Sequence, residues 1–563
     1  MTIVGLQEIS KSFGGRPIIE PLSWSIDAQA RVGLVGANGS GKSTLLRMIA
    51  GLESYDGGTI VRRRGLRVAY LAQEVAGGDA GVLATVLASR SDLAALEADL
   101  AAIEAHLAEA GIAYDTARLT ALLDDQARLL ERFEELGGPR LRNEAVAHLR
   151  ALGIADDDFE TPTRYLSGGQ RKLIALAGCL LQQPDLLLLD EPDTHLDLAH
   201  KAQLEALIRS FGGAVVIVSH DRYLLDETVT TIVELEHRAL KVWEGNYSAY
   251  AVAKEVALLR QQELYVAQQK EIARLEAAIA RFKLWASIVV NERHIKQARN
   301  KQRQIDRMEK IDRPVLERKR MNLRFQAAQR GGQKALELRD VGMAFGDDLI
   351  LLGLKHTFWR GERVGVVGAN GSGKTVLGRL LVGQLTPTYG EVWRGPSIDI
   401  GYYAQGHETL DPRATLVETI RAVKPMYEEQ AVAFLGTFLF LYQMVHQRVG
   451  SLSGGERSRL QLARLMLGGA NCLVLDEPTN HLDIASAEVL EGALASYEGT
   501  VITISHDRYF LDRIADRIVE IDDGDIALYE GGYSAYLEQK TRPTNGYAAP
   551  TAPAAPARVK RSA

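Results

Sequence analysis

Short apolar runs recur along the chain and predict buried strands. Each run has three to five residues and is nearly continuous, instead of alternating with polar residues. Runs of this kind are typical of parallel strands that helices cover on both faces. The six runs stand at Val32 to Val35, Leu186 to Leu189, Ala214 to Val218, Val364 to Val367, Leu473 to Leu475 and Val501 to Ile504. The pattern predicts an α/β fold.

Between the first two runs the apolar residues change to heptad spacing. One series comprises Leu93, Leu96, Leu100, Ile103 and Leu107, and the series after Gly111 comprises Leu119, Leu122, Gln126, Leu129, Phe133 and Leu136. Two such helices joined by a short turn predict an antiparallel helical arm at about residues 82–145. The alternative that this arm has only a structural role stays open, because heptad spacing specifies that two helices pair but does not specify a binding partner.

A second helical hairpin is predicted in the middle of the chain, over residues 251–334. Its first helix carries an apolar stripe at 3-4-3 spacing, formed by Ile272, Leu275, Ile279 and Phe282. Its second helix is expected to continue to about Ile311, because Pro314 cannot extend a helix.

The chain contains one pattern twice. Residues 33–44 recur 332 residues later, whereas Leu166 to Gln170, Leu189 to Pro192 and Ser219 to Tyr223 each recur 286 residues later. The offsets differ by 46 residues, so the first copy carries an insertion, which contains the predicted arm. We expect a first domain at 1–250, a linker at 251–334, a second domain at 335–540 and a disordered tail at 541–563.

Composition places the chain among ordinary globular proteins, but its charge is unevenly distributed. The whole chain has 66 basic and 72 acidic residues, a net charge of −6. From Arg281 to Arg330 there are 15 basic and 5 acidic residues, so this segment carries +10 and the remainder −16. The average of −6 therefore does not exclude a polyanionic partner.

Cysteine content and hydropathy indicate a cytoplasmic location. Cys179 and Cys472 are too few for a disulfide framework. The first residues lack the basic and apolar regions of a signal peptide. The longest nearly apolar run, at residues 431–445, has 15 residues, fewer than the roughly 18 to 20 that cross a bilayer.

Two glycine-rich loops carry the pattern that binds nucleotide phosphates, G-x-x-x-x-G-K-[ST], between a predicted strand and a helix. Backbone N–H groups and the helix N-terminus face the phosphates, and the lysine adds a positive charge. The predicted ATP-binding residues are Gly36, Asn38, Gly39, Ser40, Gly41, Lys42, Ser43 and Thr44, and in the second copy Gly368, Asn370, Gly371, Ser372, Gly373, Lys374, Thr375 and Val376. The hydroxyls of Ser43 and Thr375 are predicted Mg²⁺ ligands.

Carboxylates follow the next predicted strand of each copy. Asp190 and Asp476 are expected to bind hydrated Mg²⁺, and the adjacent Glu191 and Glu477 to act as general bases towards water. His220 and His506 each follow a further predicted strand of their own copy. At this position the ring either contacts the γ-phosphate or has only a structural role. Their repetition at one spacing favours the catalytic role.

Two further pairs occupy matching positions. Gln73 and Gln405 follow the phosphate-loop lysines by 31 residues and are predicted to contact Mg²⁺. Phe13 and Phe345 precede these lysines by 29 residues and either stack on adenine or belong to the core.

Together these motifs resemble those of an ATP-binding cassette ATPase, because Leu166 to Gln170 and Leu452 to Glu456 match the signature sequence of that superfamily. The resemblance implies that two cassettes pack head to tail, each signature covering the phosphate bound by the other cassette. Its implied signature contacts are Ser167, Gly168 and Gly169, and Ser453, Gly454 and Gly455. A serine at the start of a helix can help to bind an anion, because the serine hydroxyl and the positive end of the helix dipole both face the anion.

Two cassettes joined by a charged linker, over about 540 residues, most closely resemble the ABC-F proteins, which act on ribosomes. The second copy, Glu477 to Asp483, matches a sequence typical of that family, whereas the first reads Glu191-Pro192-Asp193-Thr194-His195-Leu196-Asp197. This departure places an extra carboxylate, Asp193, beside the cassette seam. Whether both sites turn over equally stays open at this stage.

The basic linker is the predicted RNA contact. Its candidate residues are Arg293, Lys296, Arg299, Lys301 and Arg303, with Trp285 and His294 near the predicted hairpin tip. Cations that neutralise phosphates and an aromatic ring that stacks suit structured RNA, although a basic helix is often only a solvated face. The resemblance implies that the arm of the first cassette touches the large ribosomal subunit. It also implies that the linker tip reaches towards peptidyl-tRNA and the peptidyl-transferase centre from the exit-tRNA site.

The resulting hypothesis is a monomeric ribosome-associated ATPase, a translation factor that hydrolysis releases from the ribosome. A ribosome-protection protein conferring antibiotic resistance is an alternative within the same family. The ATPase subunit of a membrane transporter and a DNA-maintenance ATPase are alternatives of other classes, and neither accounts as well for the cationic linker.

Overall fold

The structure is a computed structural model of the 563-residue chain. It describes residues 1–108, 116–236, 238–288, 292–308, 333–346, 348–406, 408–480 and 482–541. Among the helices in these ranges, none combines the length and the hydropathy needed to span a lipid bilayer.

The first cassette has two sheets. Its strands are β1 (Thr2–Phe13), β2 (Arg16–Asp27), β3 (Arg31–Val35), β4 (Gly57–Arg62), β5 (Val68–Leu71), β6 (Leu186–Asp190), β7 (Ala214–Val218), β8 (Thr231–Glu236) and β9 (Ala239–Glu244). The main sheet has the order β5-β6-β7-β3-β8-β9, parallel except for β9. The smaller sheet, β2-β1-β4, is antiparallel.

Helices cover the main sheet on both faces. They are α1 (Lys42–Ala50), α2 (Val82–Leu87), α3 (Ser91–Leu107), α4 (Thr116–Glu135), α5 (Gly138–Ala151), α6 (Gly168–Leu181), α7 (Leu198–Ser210) and α8 (Arg222–Thr228). All residues of β6 and β7 are buried, as the continuous apolar runs predicted. Because β6, β7 and β3 are adjacent and parallel, their carboxyl ends meet at one edge of the sheet.

The predicted arm is formed by α3 and α4, which pack against each other. Leu93, Leu96 and Leu100 are buried on α3, and Leu129 and Phe133 of α4 pack on the cassette core. The turn that contains Gly111 lies outside the described residues. Heptad spacing therefore identified both helices of the arm.

The linker is also a helical hairpin, formed by α9 (Tyr247–Ile288) and α10 (Glu292–Asp306). The predicted residues Leu275 and Ile279 pack with Ile305 and Met308 between the two helices. Because α9 begins at Tyr247, the linker continues the last helix of the first cassette without a break.

The expected end of the second linker helix, at about Ile311, is wrong. Helix α10 ends at Asp306. The N–H of Met308 donates to the carbonyl of Ile305, three residues earlier, as in a tight 3₁₀ turn. Ile305 and Met308 also make the last described apolar contacts with α9. Pro314 and residues 542–563 of the tail lie outside the described residues.

The second cassette repeats the first without the arm. Its strands are β10 (Lys334–Phe345), β11 (Asp348–Trp359), β12 (Arg363–Gly368), β13 (Tyr389–Arg394), β14 (Ile400–Tyr403), β15 (Cys472–Asp476), β16 (Thr500–Ile504), β17 (Arg517–Asp522) and β18 (Asp525–Glu530). Its helices are α11 (Lys374–Val382), α12 (Leu416–Val423), α13 (Glu428–Thr437), α14 (Gly454–Gly468), α15 (Ile484–Ala495), α16 (Arg508–Ile514) and α17 (Tyr533–Thr541). The sheet orders, β14-β15-β16-β12-β17-β18 and β11-β10-β13, match those of the first cassette.

Candidate active site

The two phosphate loops have the predicted strand, loop, helix context. Gly41 directly precedes α1 with a φ of 101°, in the left-handed region that favours glycine. A Cβ at this position would lie 2.8 Å from Cγ2 of Ile18. The backbone thus turns sharply and presents the helix N-terminus to the loop, where an anion is stabilised. Gly373 before α11 has the same conformation, with a φ of 94°.

The phosphate-loop lysines are buried and hold their own loops. Nζ of Lys42 donates to the carbonyls of Gly36 and Ala37 at 2.9 and 3.1 Å. Nζ of Lys374 donates to the carbonyl of Gly368 at 2.9 Å and to that of Ala369. Burial lowers the pKa of both lysines, and the neighbouring acidic residues oppose this shift.

Asp190 and Asp476 stand at the ends of β6 and β15, next to the phosphate loops. The hydroxyl of Ser43 lies beside Asp190 and that of Thr375 lies beside Asp476, and each opposes the rise that burial causes in the pKa of its carboxyl. The hydroxyl of Tyr70 donates a hydrogen bond to Asp190, at 3.1 Å. Burial raises the pKa of Asp476 to about 6. Each predicted pair of Mg²⁺ ligands therefore lies together.

The two glutamates have strained backbones. Glu191 has a φ of 49° and Glu477 a φ of 50°, a region that residues with a Cβ rarely adopt. Their N–H groups bond to the carbonyls of Val218 and Ile504 at 2.8 Å, which fixes this conformation in both cassettes. Repeated strain at one position of two cassettes is typical of a functional site.

The two histidines face these glutamates. Nε2 of His220 lies 3.9 Å from Oε1 of Glu191, and Nε2 of His506 lies 3.7 Å from Oε1 of Glu477. Burial lowers the pKa of His220 to about 4 and that of His506 to about 3, so both imidazoles are neutral at physiological pH. Burial also raises the pKa of Glu477 to about 8.

The signature serines begin long helices, α6 and α14. Oγ of Ser167 accepts a hydrogen bond from the N–H of Gln170, whose side chain accepts one from the N–H of Ser167. Ser453 and Glu456 form the same capping box. Each serine therefore places its hydroxyl and a helix N-terminus at the seam between the cassettes.

The cassettes pack head to tail. The N–H of Asn370, in the second phosphate loop, donates to Oδ2 of Asp197 at 3.0 Å, and its side chain donates to the carbonyl of His195 at 3.1 Å. A cavity of about 1390 Å³ runs along the seam and is lined by both phosphate loops and both signatures. This arrangement is the one expected if site one combines Lys42 and Glu191 with the second signature, and site two combines Lys374 and Glu477 with the first.

Most predicted site residues line this cavity. They are Phe13, Asn38, Gly39, Gly41, Lys42, Ser43, Thr44, Gln73, Ser167, Gly168, Gly169, Glu191, His220, Phe345, Asn370, Gly371, Gly373, Lys374, Thr375, Val376, Gln405, Ser453, Gly454, Gly455, Asp476, Glu477 and His506. The predicted residues Gly36, Ser40, Asp190, Gly368 and Ser372 are not among the lining residues. Phe13 and Phe345 are 45% and 49% exposed, which excludes their alternative role in the core.

The residues present fit ATP and Mg²⁺. Several deeply buried polar atoms of the site have no protein partner, namely Oγ of Ser40 and Ser372, Oδ1 of Asp190, both Oδ atoms of Asp476, Oε1 of Glu477 and both ring nitrogens of His220. Buried polar groups are normally hydrogen-bonded, so these atoms suit a polar ligand. In the described part of the chain no three His, Cys, Asp or Glu side chains form a metal cluster.

Sequence reasoning missed the buried ion pairs across the seam. Arg222 of the first cassette pairs with Glu491 of the second, and Arg508 of the second pairs with Glu205 of the first. Arg222 also stacks on Tyr509, with its guanidinium 4.9 Å from the ring centroid. A signal was available, because both arginines directly follow the repeated His-Asp pair.

The predicted RNA contacts lie on α10. Lys296, Arg299 and Arg303 are exposed, and Lys301 is half-buried. The side chains of Trp285, Arg293 and His294 lie outside what the structure describes. The exposed cations therefore form one surface of the linker hairpin, separate from the candidate active sites.

Comparisons with known proteins match the two cassettes. A family profile described as "ABC transporter" matches residues 19–194 and 351–480, and a second profile with the same description matches residues 233–325. The solved structure of an archaeal ribosome recycling factor, aABCE1, in complex with the ribosomal stalk protein aP1 has a TM-score of 0.59. It covers 94% of this chain and 92% of that chain at 18% identity, and so shows the same fold.

Curated relatives are similar over nearly the whole chain. "Putative ATP-binding protein YdiF" of Bacillus subtilis is 38% identical over 543 residues, which is 96% of this chain and 83% of that protein. "ABC transporter F family member 5" of Arabidopsis thaliana is 34% identical over 95% of this chain and 77% of that protein. "Energy-dependent translational throttle protein EttA" of Escherichia coli K12 is 34% identical over 94% of this chain and 93% of that protein. With its tandem cassettes and helical linker, the chain belongs to the ABC-F family of ATP-binding cassette proteins.

Proposed function

We propose that this protein is a cytoplasmic ribosome-associated ATPase. ATP binds between the two head-to-tail cassettes, the closed protein engages the ribosome near the exit-tRNA site, and hydrolysis releases it. While bound, the protein acts on peptidyl-tRNA or on the peptidyl-transferase centre, as a translation factor does.

The observation that carries the ATPase proposal is the composite site at the seam. The phosphate loop of each cassette and the signature serine of the other line one cavity. A nucleotide there contacts both cassettes, so its binding energy favours the closed arrangement. Its hydrolysis removes the γ-phosphate and with it part of that energy.

The residues have separable roles in this proposal. The phosphate loops bind and orient the nucleotide, and Ser43 with Asp190 and Thr375 with Asp476 hold Mg²⁺. When bound, Mg²⁺ neutralises the charge that develops on the phosphate oxygens. Glu191 and Glu477 orient the attacking water and accept its proton. The neutral His220 and His506 donate hydrogen bonds towards the γ-phosphate.

Two observations support the ribosome as the partner. The curated relative EttA is named a translational throttle protein, and its similarity to this chain extends over 93% of the length of EttA. The exposed cations of α10 belong to a segment with a net charge of +10, and the rest of the chain carries −16. An acidic body with one concentrated cationic hairpin suits selective contact with a structured RNA.

The test is sedimentation with purified ribosomes through sucrose gradients. The Glu191→Gln/Glu477→Gln variant keeps the binding residues but loses the bases, so with ATP it should stay closed and co-migrate with ribosomes. The matched control adds Lys42→Ala and Lys374→Ala, which remove the phosphate-loop charges and should abolish co-migration.

Failure of the first variant to co-migrate with ribosomes in ATP would overturn the proposed partner. ATP-dependent recovery with membranes instead would favour the ATPase subunit of a transporter. Tighter binding to duplex DNA than to ribosomes would favour a DNA-maintenance ATPase.

A further inference from the structure

Three buried charges of the first cassette have no counterpart in the second. At the repeat offset of 286 residues, Lys172 corresponds to Ser458, Asp193 to Thr479 and Lys201 to Ala487. Lys172, Asp193 and Lys201 are all buried. The motifs around these three positions repeat closely in the two cassettes, but the three charges do not. Because a buried charge needs a partner, the surroundings of the two ATP sites must differ.

The three charges form one compensated array. Lys172, on α6, donates to the carbonyl of Glu191 and to the hydroxyl of Thr194. Oδ1 of Asp193 accepts a hydrogen bond from Oγ of Ser219 at 2.7 Å. Asp193 lies close enough to both lysines to stabilise their charged forms. The extra carboxylate thus offsets the burial of two extra ammonium groups.

Lys201 reaches across the seam into site two. Its Nζ donates to Oδ2 of Asp221 at 2.8 Å and to the backbone carbonyl of His506 at 2.9 Å. The N–H of His506 in turn donates to Oε2 of Glu477 at 3.3 Å. The first cassette therefore supplies a residue that holds the backbone of His506, and the N–H of His506 contacts Glu477 in the second site.

Among the residues that the structure describes, site one has no equivalent of this contact. The matching position in the second cassette is Ala487, whose side chain has no polar atom and donates no hydrogen bond to the backbone of His220. Glu191 is also less buried than Glu477, with 16% against 6% of its side chain exposed.

Lys201 is charged in this position. Burial lowers its pKa, but the carboxylates of Asp221 and Asp193 outweigh that effect and the net shift is upward. The guanidinium of Arg508, 3.6 Å from Asp221, is the other cation that faces this carboxylate. A charged donor gives a stronger hydrogen bond to a carbonyl than a neutral donor does.

We propose that Lys201 is a positioning residue for the second ATP site, supplied across the seam by the first cassette, and that Asp193 adds to the compensation of its charge by Asp221. By fixing the backbone of His506, whose N–H contacts Glu477, Lys201 raises the rate of hydrolysis at site two. Site one lacks this support and turns over more slowly. This inference rests on the ATPase function proposed above.

The test measures each site separately. Glu191→Gln leaves site two active, and Glu477→Gln leaves site one active. Into each background we would introduce Asp193→Thr/Lys201→Ala, which gives the first cassette the residues of the second. Asp193→Thr alone is the matched control, because Lys201 then keeps its bonds to Asp221 and His506.

Relative to that control, the double change should lower kcat at site two about tenfold and leave its KM for ATP unchanged. At site one both constants should stay within about twofold. A purely structural defect would instead affect both sites or raise KM. If the double variant does not fold, Asp193→Thr/Lys201→Met fills more of the vacated volume and should give the same result.

Equal losses at the two sites, a change confined to KM, or no loss at site two would each overturn the role of Lys201. The two parent variants distinguish this failure from failure of the proposed function. If neither parent hydrolyses ATP, the ATPase proposal is wrong and the inference is overturned with it.

Discussion

At the scale of single residues, the cassette seam depends on a few buried ion pairs. Arg222 with Glu491 and Arg508 with Glu205 repeat across the pseudo-twofold axis, and all four residues are buried. Removing one partner of a buried pair costs up to about 3 to 5 kcal/mol when the other charge is left without compensation. Without Arg222, Glu491 keeps, among the described residues, only the exposed Arg513 as an ion-pair partner, at 3.3 Å. These pairs are therefore expected to control closure.

We expect Arg222→Met to weaken closure strongly. In the Glu191→Gln/Glu477→Gln background, the ATP concentration for half-maximal closure should rise about 100-fold or more. Fluorescence energy transfer between dyes on the two cassettes measures it. The control, Arg209→Met, breaks an exposed pair with Glu227 within one cassette and should shift the value less than about fivefold. A shift below threefold for Arg222→Met would contradict the prediction.

Asp221 is expected to make the free energy of unfolding depend on pH in the acidic range. The charges of Lys201 and Arg508 outweigh burial and lower its pKa to about 2. Because the folded pKa lies below the unfolded value, the stabilisation is complete above about pH 5 and is lost as pH falls towards 2. It amounts to about 2 kcal/mol at neutral pH and to about half of that at pH 3.

The measurement compares the original protein with Asp221→Asn, which removes the charge but keeps an oxygen for the N–H groups of Tyr223 and Leu224. The difference between their urea midpoints should be largest near neutral pH and should shrink by about half at pH 3. A difference that is constant from pH 7 to pH 3 would show that the charge is unimportant.

At the scale of elements, the linker hairpin depends on a narrow apolar stripe. Leu275 and Ile279 of α9 meet Ala298 and Ile305 of α10, and this cluster is separate from both cassette cores. The hairpin can therefore open locally, since few buried apolar side chains hold its two helices together.

Leu275→Ala is expected to loosen α10 selectively. Leu275 is 2% exposed, and truncating such a leucine costs about 2 to 5 kcal/mol. Amide exchange of α10, followed by mass spectrometry, should accelerate about 30-fold or more, while β6 and β15 stay protected. Leu264→Ala on the same helix is the control, because Leu264 is 51% exposed. Unchanged exchange in α10 would show that the hairpin has other support.

At the scale of the whole molecule, charge is segregated between the acidic cassettes and the basic linker. Each cation that neutralises an RNA phosphate releases a counterion, so binding weakens as salt rises. The exposed side chains of Lys296, Arg299 and Arg303 are the described candidates for such contacts.

Neutralising these three residues to Gln should make ribosome binding less sensitive to salt. The slope of log K against log salt should become shallower by about 2 to 3. The control neutralises three exposed cations of the cassettes, Arg64, Arg413 and Lys424, with the same change in net charge. Equal changes in slope for both variants would assign the effect to net charge alone.

Much of the fold could be predicted because the sequence repeats itself at fixed spacing. The apolar runs gave strands whose residues are buried, and heptad spacing gave both helical hairpins. The end of α10 was misplaced because Pro314 marks where a helix cannot continue, whereas the last turn depends on where packing against α9 stops. Local signals constrain the possible helix ends, and tertiary contacts select among them.

The sequence by itself determined the two cassettes, their phosphate loops and the family, because these depend on local motifs and their order. Only the tertiary structure decided what meets at the seam. Arg222 and Glu491 are 269 residues apart, and Lys201 and His506 are 305 apart. The repeated His-Asp-Arg sequence marks the two arginines, but no local pattern identifies their partners, because these contacts form only when two folded domains bury their charges against each other. The extra Asp193 was visible in the sequence, but its role beside Lys201 follows from that packing.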